Sequence, residues 1–419
     1  MRIKRKVKIK DNEEKESFTN KNRNNPKPKN KYKIHLTINT LLIILSVVII
    51  LIILIIFLRI IIKHKKKYDY LIIGSGLYGA TFNYLAKKEG KTTLVIEKRD
   101  HIGGNLYCEN LEGINVHKYG PHIFHTNDKK IWDFVNSLTN FIPYYNQSIY
   151  AYKNNFYKLP FNFWSSFNQL WNIKIPEGEK KEQLISNYNN PDNVDINKIF
   201  KKFIEKQLGI KSENFTSFIF GENSTNLNLY NYYFNDSYQG IPENGYNSMI
   251  EKLLKDTKII KGVDYNRFRD KYYDIANTIV YTGKIDEYFD YKYGKLEYRT
   301  ISWENEVIEK NIFQNAAIVN YLDSNIPFTR IIEYKHIDFT NKEIQEQNRT
   351  IVFYEYSEKW DENSEPFLPI NDEKNNELYN KYKELADKEK NVIFGGRLAE
   401  YKYYEMNDII EAVFKHWNI

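Results

Sequence analysis

Cysteine is almost absent from this 419-residue chain: the single Cys108 excludes a disulfide framework and any all-thiolate metal site, and fits a reducing compartment. No His/Cys spacing of a metal centre and no nucleophile triad signature is present either. The chain shows no internal repeat, and its composition excludes collagen-like and disordered classes. The excess of positive charge is confined to one end. Of a formal +7, residues 1–67 hold 18 Lys/Arg against 4 Asp/Glu, leaving 43 against 50 beyond residue 67. The body is therefore acidic, which argues against a nucleic-acid-binding globule. What is present, 42% apolar and 27% charged residues, suffices for a substantial core and more than one packed unit.

Residues 1–40, rich in Lys and Asn, read as a disordered basic arm. Leu41 to Leu58 then runs uncharged with Ser46 its one polar residue, and resumes after Arg59 as Ile60-Ile61-Ile62. Over 41–62 this reads as one transmembrane helix. A cleaved signal peptide is the competing reading, but the run is too long, starts late and lacks a small-residue cleavage site. Flanking basic residues nearly balance, so orientation cannot be taken from them.

At Tyr68 to Ile73 a short apolar strand leads into Gly74-Ser75-Gly76-Leu77-Tyr78-Gly79 and a helical stretch, then a second strand, Lys91 to Ile96, ends in Glu97. This βαβ order suits a dinucleotide. Gly74 permits the tight turn, Gly76 the approach of a pyrophosphate, Gly79 close helix packing, and Glu97 can accept from a ribose hydroxyl. The glycine pair that follows, with Gly104 and Asn105, favours FAD over a nicotinamide cofactor. Near the far end, Val392 to Arg397 reads as a strand closing on a glycine pair, followed by an amphipathic helix from about Asn407, again with amides free to face a flavin. The alternative for each motif is a turn or strand–helix unit that only completes the sheet.

Seven blocks in order carry a more specific signal: GSGLYGA, VIEKRDHIGGN, HKYGPHIFHTND, YQGIPENGY, YFDYKYGKLEYR, TRIIEYKH and GGRLAEYKYYEM. Over residues 68–419 the chain resembles the bacterial-type UDP-galactopyranose mutases. The resemblance implies an α/β fold: a Rossmann-like FAD-binding domain, an inserted helical domain and an antiparallel β-sheet domain, interleaved in sequence. On that basis 68–145 is the FAD-binding part, 146–235 a mainly helical substrate domain, 236–392 mixed flavin and sheet parts, and 393–419 the C-terminal flavin-binding strand and helix. The implied reaction interconverts UDP-galactopyranose and UDP-galactofuranose without net redox change, with N5 of reduced FAD attacking the anomeric carbon. Carried over residue by residue, Arg299 and Tyr403 match diphosphate contacts, Tyr233 a nucleotide contact and Asn146 a substrate contact. His122 and His125 match histidines lying against the flavin, and Arg397 with Met406, Asn407, Asp408 and Ile409 match flavin contacts.

Departures cluster on the substrate side. Leu208 stands for a stacking tryptophan, Ile204 for a threonine, Phe328 for a tyrosine of the substrate site and Glu405 for an aspartate. Glu222, counted without gaps, falls where the family has a mobile-loop arginine. Two readings follow: a mutase that closes its site with another cation, among Lys201, Lys202, Lys206 and Lys211, or an impaired mutase-like flavoprotein that binds another nucleotide sugar or serves as a membrane-held scaffold. A flavin oxidoreductase is a third class, which leaves the later blocks unexplained. The chemistry expects a UDP-sugar substrate, no nucleic acid, and a body on the cytosolic side of a single-pass membrane anchor. It leaves open a galactofuranosyltransferase partner and a homo-oligomer.

Overall fold

A computed structural model of the chain describes residues 38–64, 67–152, 155–159, 205–207, 209, 234 and 236–419. It divides into two units, Met1–Lys65 and Lys66–Ile419. In the first, a helix runs Ile38–His64, and the large apolar side chains described along it, Leu41 to Ile56 among them, are exposed. Among the described residues no helix is long and apolar enough to cross a membrane. The expected transmembrane helix over 41–62, and the single-pass membrane localisation drawn from it, are corrected on this finding.

The second unit opens on β1 (Tyr68–Ile73), followed by the helix Leu77–Lys88 and β2 (Thr93–Ile96), buried throughout. Strands covered on both faces need continuous apolar runs, and LII and TLVI provide them. Returning much later, the chain adds β10 (Lys258–Ile260), β11 (Ala276–Tyr281) and β17 (Val392–Phe394) to give a five-stranded parallel sheet, ordered β10-β2-β1-β11-β17. Successive β1 side chains point to opposite faces. Ile72, with Val95 and Val280, enters a core shared with helices Leu77–Lys88, Tyr246–Leu253 and Met406–His416, whereas Leu71 and Ile73 enter a second core with Leu94, Ile279 and Tyr281. This layer is Rossmann-like, and it is assembled from three distant stretches of chain.

A seven-stranded sheet is built from β7 (Ser148–Tyr152), β8 (Asn155–Leu159), β12 (Tyr298–Ile308), β13 (Ile318–Tyr321), β14 (Arg330–Glu333), β15 (Thr350–Lys359) and β16 (Leu368–Pro369). In the order β16-β12-β15-β14-β13-β7-β8 every neighbouring pair is antiparallel except β13 with β7. The hairpin β7–β8 lies at the start of the segment 146–235, which the resemblance makes mainly helical. Most of that segment lies outside the described residues. Two smaller sheets pair β3 (Cys108–Leu111) with β4 (Ile114–His117), and order β5 (Phe124–Thr126), β9 (Tyr238–Pro242) and β6 (Phe141–Pro143) as β5-β9-β6.

Candidate functional site

The ends of β1 and β2 are tied together, since the Gly74 amide donates to Ile96 O at 2.8 Å. Gly76 caps the helix Leu77–Lys88 without any side-chain hydrogen bond, so the first amides of that helix keep their capacity for an anion. Gly79 lies against the Gly74 carbonyl, where a side chain would collide. Across from them Gly104 holds φ +56°, and a Cβ there would sit 2.9 Å from Gly76 Cα. Two glycine loops thus meet backbone to backbone. Gly104→Ala adds about 1–2 kcal/mol of left-handed strain to that contact, and bound dinucleotide per purified protein is expected to fall about 5- to 30-fold. Absorbance at wild-type level would contradict the cradle.

Glu97, buried at the end of β2, accepts from the Ser75 amide at 2.8 Å and Ser75 Oγ at 2.6 Å through one oxygen, and from the Arg99 amide at 2.9 Å through the other. Its carboxylate is therefore fixed at the sheet edge beside the glycine turn. Arg99 reaches Asn105 Oδ1 at 3.1 Å and lies 4.3 Å over the Tyr119 ring. At the other side of the sheet the Gly395 amide donates to Tyr281 O at 3.1 Å, and Tyr78 packs against the Gly395-Gly396 turn. Arg397 donates to Tyr404 O at 2.7 Å and stands 4.9 Å from the Tyr403 ring. Helix Met406–His416 begins with a reciprocal cap in which the Glu405 amide donates to Asp408 Oδ2 at 2.9 Å. Met406, Asn407, Asp408 and Ile409 form its first turn. Arg99 Nη1, Arg397 Nε and Asn407 Oδ1 are buried without a hydrogen-bond partner among the described residues. Buried polar atoms are normally satisfied. A glycine cradle with leftover donors and an acceptor around it fits an FAD-sized dinucleotide.

The two candidate histidines differ in charge. His125, on β5, meets Asp236 Oδ2 through Nδ1 at 2.5 Å and stands 3.8 Å from Glu405 Oε2 through Nε2, with its ring stacked 3.7 Å from that of Phe234. Burial pushes its pKa down, but the Asp236 hydrogen bond and the Glu405 carboxylate outweigh burial and hold it up at about 9. Glu405 is held below its usual range, burial being outweighed by His125. His122 donates its amide to His117 Nδ1 at 3.0 Å, and burial, reinforced by Arg397, pushes its ring down to about 4. At pH 7 His122 is neutral and His125 is an imidazolium.

The signs of the linkage differ accordingly. His125, raised above its unfolded value near 6.5, contributes on the order of 3 kcal/mol that is complete below pH 6.5 and lost as pH rises towards 9. His122, depressed, costs stability as pH falls from 6.5 towards 4. Asp236→Asn is expected to lower the His125 titration, followed by NMR, clearly below about 9, with Glu405 still supporting part of the rise. Its stability deficit against wild type should be largest below pH 6.5 and fade above 9; a deficit independent of pH would contradict the assignment.

Aromatic packing runs from the cradle to the large sheet. Tyr119 contacts Trp303 (6.2 Å) and Phe367 (6.0 Å), and Phe367 accepts from Arg397 Nη1 at 3.4 Å while its amide donates to Arg299 O at 2.9 Å. Arg299 lies on β12, where Nη2 donates to Ser357 O at 2.7 Å and to Ser357 Oγ at 3.1 Å. On the neighbouring pair β14–β15 Arg330 Nη2 meets Glu355 Oε2 at 2.6 Å, Glu355 being fully buried. Asn146 is buried in the β6–β7 connection. Phe328 is half-buried, edge-on to Tyr321 (4.9 Å) and Tyr354 (5.2 Å). Tyr403 donates to Glu405 Oε1 at 2.8 Å.

Of the four candidate replacement cations only Lys206 is described. Its ammonium donates to Tyr321 O at 2.7 Å and Asp323 O at 3.0 Å, and burial pushes it down to about 8. Tyr233, Leu208, Ile204, Glu222, Lys201, Lys202 and Lys211 lie outside the described residues. The structure thus gathers His125, Tyr403, Glu405 and Arg397, and joins Arg299 to them through Phe367. Sequence reasoning missed Asp236, which sits in the same NYYFND block as Tyr233, and it missed Ser357 and the Arg330–Glu355 pair.

Comparison with known proteins adds sequence relatives and a fold. The family described as UDP-galactopyranose mutase matches residues 198–403, and the NAD(P)-binding Rossmann-like domain matches residues 72–138. The chain is 32% identical over 367 residues to the dTDP-fucopyranose mutase of Escherichia coli, covering 82% of this chain and 96% of that protein. It is 31% identical over 363 residues to a probable UDP-galactopyranose mutase of Klebsiella pneumoniae, covering 82% and 92%. The crystal structure of a reduced UDP-galactopyranose mutase shares its fold, with a TM-score of 0.60 at 12% identity over 84% of this chain and 96% of that one.

Proposed function

The chain belongs to the UDP-galactopyranose mutase family, and we propose that it is a flavin-dependent isomerase that interconverts UDP-galactopyranose and UDP-galactofuranose. One observation carries the reading from family to site: a glycine cradle fit for FAD is joined through Tyr119 and Phe367 to Arg299, whose guanidinium is bonded to neutral acceptors and so keeps its charge for a diphosphate. Reduced FAD supplies the nucleophile, at N5, when bound. The chain's own residues hold and screen charge. Glu97 fixes the ribose end, Arg299 and Tyr403 bind the diphosphate, Asn146, Tyr233 and Phe328 line the sugar nucleotide, and His125 keeps a proton between Asp236 and Glu405. His122, Arg397 and the first turn from Met406 to Ile409 face the flavin. A galactofuranosyltransferase as consumer of the product and a homo-oligomer belong to the same reading.

Reduced, flavin-loaded protein offered UDP-galactofuranose and, in parallel, dTDP-fucopyranose, which the name of the Escherichia coli relative carries, tests the substrate. Conversion of the uridine nucleotide at higher kcat/KM is expected. Preference for the thymidine nucleotide would overturn the substrate while leaving the reaction class.

A further inference from the structure

Arg299 shares its face of the sheet with Ser357: in the β12–β15 register Arg299 is opposite Lys359 and Ile301 opposite Ser357, which sets the two side chains on a diagonal. Three hydrogen bonds result. Nη2 reaches the Ser357 carbonyl at 2.7 Å and its hydroxyl at 3.1 Å, and Nε reaches the hydroxyl at 3.3 Å. Ser357 Oγ in turn donates to the carbonyl of Gln207, whose Nε2 lies 3.4 Å from Glu355 Oε1. Gly209, with φ +67° and its amide bonded to Glu205 O at 2.8 Å, presses on the guanidinium so closely that a Cβ there would be 2.8 Å from Nη1. The arginine is therefore gripped on two sides by groups without charge. A carboxylate in that place would neutralise it; a carbonyl and a hydroxyl fix its direction and leave the cation available.

We propose that Ser357 is the positioning residue for Arg299, and that with the Gly209 backbone it holds the guanidinium fork in the orientation that receives the diphosphate of the sugar nucleotide; this rests on the function proposed above. The hydroxyl acts as a relay, accepting from Arg299 and donating to Gln207, so the fork is locked to Gln207 as well as to the sheet. Ser357→Ala removes the relay and leaves the carbonyl contact. Losing a hydrogen bond to a charged group is expected to weaken UDP binding about 10-fold, and to raise KM similarly with kcat changed less than about 3-fold. Ser357→Thr, which keeps the hydroxyl, should return both to within about 3-fold of wild type.

The test is a double-mutant cycle on the full-length, flavin-loaded protein, reading UDP affinity by calorimetry together with the Nε–H resonance of Arg299, assigned by its loss in Arg299→Lys. In an Arg299→Ala background Ser357→Ala should have no further effect on UDP affinity, and in the wild-type background it should shift the Nε–H signal and speed its exchange with water. Equal losses in both backgrounds, or an unmoved Nε–H signal, would overturn the proposal. Should wild-type protein bind no UDP, the functional reading fails, while the Nε–H signal still decides whether Ser357 positions Arg299.

Discussion

Arg299→Ala is expected to lower kcat/KM for the sugar nucleotide by about two to three orders of magnitude while the protein stays folded and keeps its flavin. The size follows from removing a fork that two phosphates would share in a half-buried place, where burial already pushes the arginine's own pKa down. The retained fold follows from its partners. Among the described residues only the Ser357 carbonyl and hydroxyl lose a donor, and none of them is a buried carboxylate left without its counter-charge. Steady-state kinetics beside flavin absorbance separates the two effects. A fall of less than about tenfold would mean that another cation carries the diphosphate.

Arg330→Ala should do the reverse and act first on stability. Glu355 is fully buried, with Arg330 Nη2 at 2.6 Å on one oxygen, and with Gln207 Nε2 and Thr329 Oγ1 each at 3.4 Å from the other. Deleting the arginine strands a charge in the sheet, at a cost of about 3–5 kcal/mol. Glu355→Gln in the same background removes that charge and should recover a large part of the loss. Equilibrium denaturation of flavin-loaded protein measures both. A cost below about 1 kcal/mol for Arg330→Ala would show that water or another group compensates Glu355.

The glycine turn and the carboxylate beside it were legible because their geometry is local. Gly74, Gly76 and Gly79 fall within six residues and need only the strand and helix that their own flanks encode, and Glu97 is placed by the next strand. The sheet order was less so, since β10, β11 and β17 come from remote stretches whose runs of three to six residues do not name their neighbours. Pairs made across the fold were hidden for the same reason: His125 and Asp236 are 111 residues apart, Ser357 and Gln207 150. The hairpin β7–β8 did carry a signal, two aromatic-rich runs, SIYAY and NFYKL, on either side of an Asn-Asn pair, which the expectation of a helical segment overrode. The run 41–62 failed differently. Composition alone reads as a span, while among the described residues no helix is long and apolar enough to cross a membrane.

The proposed isomerisation is redox-neutral and needs reduced flavin. Chromatography of UDP-galactofuranose incubated with the full-length protein, oxidised in one tube and dithionite-reduced in the other, tests it most directly. UDP-galactopyranose should form over many turnovers in the reduced tube alone, with no reductant consumed per turnover. No conversion by reduced, flavin-loaded protein, or conversion coupled to stoichiometric loss of reductant, would contradict it.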